Sequence, residues 1–107
     1  MRLVILLTAV ALIGVALLTF GVTRRRHELT RAFRTLPLGT PKSELIRQLG
    51  TPWKVAKCGE TFGGGSPQGC LEEVIYSTPF APWLPQYWGF LFDTEGKLMQ
   101  KREYISP

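Results

Sequence analysis

The sequence predicts an α+β fold carried behind an N-terminal transmembrane helix, and three observations predict it. An uncharged apolar run fills Leu3–Val22, two short stretches with helical periodicity and helix-terminating residues follow, and four runs rich in aromatic and β-branched residues close the chain. Helices first and strands afterwards is the order of a two-layer α+β domain, with two short helices packed on a three- or four-stranded antiparallel sheet. The 107 residues support one small folded unit beyond the apolar run. Hydrophobic residues make up 45% and charged residues 20%, values of ordinary globular chains, so a disordered polyampholyte is excluded.

The first run reads LVILLTAVALIGVALLTFGV. As a helix rising ~1.5 Å per residue it matches the ~30 Å hydrocarbon core of a bilayer. It is longer than the apolar core of a secretory signal. The small residues Gly14-Val15-Ala16 lie inside it rather than after it, so an uncleaved anchor over residues 1–23 is expected. A cleaved, secreted form is the alternative. The next segment, residues 24–35, is a basic juxtamembrane helix. Arg24, Arg25, Arg26, Arg31 and Arg34 stand there against Glu28 alone, and from Thr35 onward cations and anions balance. The net charge of +5 therefore sits at or beside the apolar run. Nucleic-acid binding would need its basic patch on the folded domain, so no nucleic-acid partner is expected. Phosphate head groups are the natural partners of Arg24, Arg25 and Arg26, as membrane lipid is for residues 3–22.

Within this segment Leu29, Ala32, Phe33 and Leu36 share one helical face, which Pro37-Leu38-Gly39 ends. The stretch either forms its own helix or continues the apolar one. A second helix is expected from Thr40 as N-cap, Pro41 at the first helical position, Glu44 in the first turn and Gly50 as the stop, with Leu45, Ile46 and Leu49 as its apolar stripe. The strand-like runs are Trp53–Cys58, Leu71–Ser77, Tyr87–Asp93 and Leu98–Ile105. Asp93-Thr94-Glu95-Gly96 forms the hairpin turn between the last two. Trp88, Phe90 and Phe92 alternate with Gly89 and Leu91, so one sheet face is aromatic, and the charges of the last strand suggest a solvated side.

Cys58 and Cys70 flank a glycine-rich loop, and each lies at the end of a strand-like run. That placement suits a disulfide closing a hairpin, whose loop entropy would stabilise by about 3 kcal/mol; two buried free thiols are the alternative. Zinc is not expected, because four ligands are needed and His27 is the single histidine. Disulfides persist outside the cytoplasm, whereas arginines after the span predict a cytoplasmic domain. The cysteines are given the greater weight, for a periplasmic domain; a cytoplasm-facing regulator remains open.

The run Leu36–Pro52 (LPLGTPKSELIRQLGTP), then Val74-Ile-Tyr-Ser, then Phe90–Leu98 (FLFDTEGKL), resembles the SmpA/OmlA (BamE-like) domain. The likeness covers Leu36–Tyr104 and assigns residues 36–107 to the domain. It implies a helix-helix-sheet domain outside the cytoplasm, tethered to a membrane and without catalytic residues. In the family's best-known member it supports assembly of outer-membrane β-barrels. This chain lacks the lipobox cysteine of that member and adds the cysteine pair and a proline-aromatic loop.

That loop, TPFAPWLPQYW, supplies the candidate partner-binding residues Phe80, Trp83, Leu84 and Tyr87; the alternative folds these aromatics onto the sheet edge. Gly63-Gly64-Gly65 lacks the Lys-Ser/Thr of a phosphate loop. Glu72 and Glu73, adjacent on a strand, point to opposite faces and cannot converge on one substrate. No catalytic residue, metal or cofactor is expected. The function read here is a membrane-tethered protein-interaction module acting in envelope assembly or maintenance, with a secreted inhibitor-like binding protein as a further alternative.

Overall fold

The computed structural model describes residues 1–78 and 86–105, so Phe80, Trp83 and Leu84 lie outside the described residues. One long helix, one short helix and four strands form an α+β architecture: α1 (Arg2–Thr35), α2 (Lys42–Leu49), β1 (Lys54–Ala56), β2 (Cys70–Ser77), β3 (Gln86–Asp93) and β4 (Leu98–Ile105).

The apolar run and the basic segment are a single helix. By length and composition α1 is able to cross a membrane. Its threonines return their hydroxyls to the preceding turn, Thr8 to Val4 O at 2.8 Å and Thr19 to Val15 O at 2.9 Å, so neither leaves a free donor. It stops where Pro37 forces the residue before it out of helical geometry, with Leu36 extended at ψ 120°.

The start of α2 departs from expectation by one residue. Pro41 is the extended N-cap and its carbonyl accepts from Glu44 and Leu45, while Lys42 opens the helix. Thr40 does not cap. Its hydroxyl donates back to Pro37 O at 2.6 Å, and its carbonyl accepts from the Leu98 N–H at 2.8 Å. The sheet claims Thr40 first, and Pro41 is left to begin the helix, bridging Lys97 as it does so. At the other end Gly50, with φ 77°, turns the chain out.

The sheet order β1-β2-β3-β4 follows the chain, and every pairing is antiparallel. The β3–β4 turn is tied by Asp93 Oδ1, which accepts from the N–H groups of Glu95 (2.9 Å) and Lys97 (3.0 Å). Register places Val74 opposite Phe90 and Tyr76 opposite Trp88. These residues with Phe92 and Leu98 form the sheet side of the main core. Leu29, Ala32, Leu36, Leu45 and Leu49 form the helix side. Phe33 meets Phe90 edge-on, with ring centroids 6.1 Å apart. The basic turns of α1 are therefore core, joined to the apolar run without a break.

Arg25 fastens that junction. Its guanidinium donates to Leu49 O at 2.6 Å, satisfying a carbonyl at the end of α2, and lies 5.8 Å from the Tyr76 ring centroid. It also reaches Glu28 at 3.4 Å. Of the three arginines expected at head groups, Arg25 is turned into the protein, and Arg24 and Arg26 are exposed.

Arg25→Ala should lower the stability of the full chain by about 1–2 kcal/mol, because it leaves a helix-terminal carbonyl without its charged donor. Arg24→Ala, whose partner Glu28 is solvent-facing, should change it by less than about 0.5 kcal/mol. Thermal unfolding of the detergent-solubilised protein, followed by far-ultraviolet circular dichroism, reads both.

Candidate functional site

The odd-numbered residues of β2 and β3 line the face away from the helices. Glu73, Ile75, Gly89 and Leu91 are buried there. The solvated side expected from the charges of β4 is thus covered, and part of the cover is the loop between Cys58 and Cys70. The two sulfurs are at disulfide distance and the Cα atoms are 6.2 Å apart, so the loop closes at its base. Farther out, Gly59 and Gly65 touch: a Cβ on Gly59 would fall 2.7 Å from Gly65 O, and both glycines hold positive φ. Arg102 of β4 donates to Gly65 O at 2.8 Å.

This fold-back delivers Phe62 onto an aromatic group. Its ring centroid lies 4.6 Å from that of Tyr104, 4.8 Å from Tyr87 and 6.3 Å from Trp53. Trp53 and Tyr87 are themselves 4.9 Å apart. The cluster is half open to solvent, with Trp53 53% and Phe62 39% exposed, and Leu71 of β2 is exposed as well. Of the predicted site residues, Tyr87 belongs to this cluster, and the cysteines hold the loop that completes it.

Beneath the cluster lies a carboxylate. Glu73 is fully buried, and its Oε2 accepts from the Tyr104 hydroxyl at 2.6 Å. The carboxylate lies across Gly89, where a Cβ would clash with Glu73 Oε2 and come within 2.9 Å of the Tyr104 ring. A glycine in mid-strand is what allows that approach. Burial pushes the Tyr104 hydroxyl pKa up, the hydrogen bond to Glu73 adds to this, and Arg102 opposes it. Burial also raises Tyr76 on the helix side, against the pull of Arg25.

Glu72 and Glu73 face opposite ways, as adjacent strand residues must. Glu72 pairs with Lys42 Nζ at 2.5 Å, tying the first turn of α2 to β2. With Glu73 shut beneath the loop, its Oε2 bonds Tyr104 and stitches β2 to β4, while its Oε1 is buried without a hydrogen-bond partner among the described residues. What the face offers to solvent is aromatic surface edged by the exposed Lys54 of β1. Among the described residues no group of three or more His, Cys, Asp or Glu gathers as a metal site.

None of Trp53, Phe62, Gly89 and Tyr104 is a candidate site residue by sequence, and Glu73 enters there only as half of a carboxylate pair. One signal did exist: Gly89 and Leu91, like Ile75, occupy positions that a solvated face would give to polar residues. Comparison with protein-family models, curated proteins and solved structures gave no match.

Tyr104→Phe removes the donor to a buried carboxylate and should destabilise by about 1–3 kcal/mol. Both tyrosines bind their protons more tightly folded than unfolded. Their contribution is therefore complete below the ordinary tyrosine value of 10.0 and is lost as pH rises through the folded values. Denaturant titrations above pH ~10 should show falling stability, with a shallower fall in Tyr104→Phe.

Proposed function

We propose that this chain is a membrane-tethered protein-interaction module. In this reading α1 spans the bilayer through Leu3–Val22, and the α+β domain binds a protein partner through the loop-covered face around Phe62 and Tyr87. The observation that carries it is the continuity of α1, whose residues Leu29 and Ala32 are buried in the domain core. A domain so joined has no slack at the membrane, and its aromatic face meets partners at one height above it. Half-exposed aromatic clusters are favoured as interface anchors. The resemblance to SmpA/OmlA domains supports a role in envelope assembly or maintenance, and no residue is assigned to catalysis.

The cysteine pair favours a periplasmic domain and Arg24–Arg26 favour a cytoplasmic one. On intact cells, a membrane-impermeant maleimide should label Cys58 and Cys70 only after reduction. Labelling that needs lysis but no reductant would reverse the orientation and make the cytoplasm-facing regulator the better reading.

A photo-crosslinking amino acid at Phe62 or Tyr87 of the full chain in native membranes should yield one discrete protein adduct, and the same probe at exposed Arg34 should not. Equal yields from all three positions, or mature protein in the medium beginning after Val22, would sink the proposal.

A further inference from the structure

We propose that Trp53, with Lys54 beside it, is a second contact of the domain with the bilayer that α1 crosses, seated at the boundary of head groups and acyl chains. The inference rests on the reading of α1 as a span and adds to it a lipid-binding residue of the folded domain.

The argument is one of level. Val22 ends the apolar run, and Arg25 follows it by about 4.5 Å of helix rise. Head groups occupy roughly 5–7 Å on each side of the hydrocarbon core, so Arg25 stands inside that layer. Arg25 in turn fixes what lies beside it. Its guanidinium is bonded to Leu49 O at the end of α2 and lies against Tyr76, whose hydroxyl donates to Gly50 O at 2.8 Å. Three residues after Gly50 comes Trp53, its N–H donating to Ile75 O at 2.8 Å, next to Tyr76 in β2. The turn from Gly50 to Trp53 therefore lies close to the level of Arg25.

The side chains at this level have the chemistry of the layer. Indole is amphipathic and concentrates at membrane interfaces, and Trp53 is more than half exposed, with Phe62 and Tyr87 backing it. Exposed Lys54 and the exposed Arg24 and Arg26 offer cations to phosphate groups. Interfacial aromatic and basic residues set the tilt and rotation of a spanning helix. A contact at Trp53, off the axis of α1, fixes the rotational setting of the whole domain, leaving Phe62 and Tyr87 at the membrane surface for a partner that is itself bound there.

The test reconstitutes the full chain in vesicles of equal parts phosphatidylcholine and phosphatidylglycerol, with a fraction of the lipid brominated near the head-group end of its acyl chains. The emission of Trp53 is taken as wild type minus Trp53→Phe, a change that keeps a ring against Phe62 and Tyr87. The brominated lipid should reduce that emission about two-fold or more, and aqueous acrylamide should leave it largely unquenched. Quenching by acrylamide and not by brominated lipid, in a chain that still resists carbonate extraction, would overturn the inference while sparing the span. Extraction by carbonate would overturn both.

Discussion

The unbroken passage of α1 from apolar run to domain core is the constraint on which the rest of the structure depends. One helix has to satisfy two surroundings: uniformly apolar over its first turns, and amphipathic once Leu29, Ala32 and Phe33 face the sheet. The change is made within a few residues, and Arg25 makes it possible. A guanidinium placed one turn beyond the apolar run caps the carbonyl end of α2 and covers a tyrosine ring. Arginine suits the place because its planar head forms the hydrogen bond and the ring contact together.

The second consequence concerns the sheet. A sheet with helices on one face alone would leave Ile75 and Leu91 in water. Among the described residues no second layer of helices covers that face, and a closed loop lies there instead. The disulfide, the contact of Gly59 with Gly65 and the Arg102 hydrogen bond press Phe62 onto β3 and β4. Under it, Glu73 and Tyr104 join β2 to β4 across Gly89 of β3, which has no side chain to obstruct them. Replacing Gly89 would therefore disturb the stitch rather than the strand.

Much of the fold was legible because its punctuation is local. Pro37, Gly50 and the Asp93–Gly96 turn each end or reverse an element through their own backbone chemistry, and the strand runs were readable from their side chains. Trp88, Phe90 and Phe92 declared a shared face by spacing alone. The one-residue displacement at Thr40 was not legible, since it results from a hydrogen bond to Leu98, far along the chain. The same holds for the aromatic cluster. Trp53, Phe62, Tyr87 and Tyr104 are scattered in sequence and meet only because a cross-linked loop folds back. Arg25 could not be told from Arg24 and Arg26 by type. Helical phase separates them, because Arg25 lies one turn before Leu29 on the stripe that packs against the domain, a signal the spacing did carry.

The Lys101 amine donates to Leu36 O at 3.0 Å, joining residues 65 positions apart, while each strand pairs with its neighbour in sequence. Such a meander is rich in short-range pairing and assembles readily once its hairpins exist. The buried turns of α1 have the opposite history. Leu29, Ala32 and Phe33 precede every strand of the sheet in the chain, so they must wait for β2, β3 and β4 to be synthesised before their cover arrives. If the preceding turns insert in a bilayer, as proposed above, that greasy stripe would spend the interval beside lipid, and the tether would double as a shelter from aggregation.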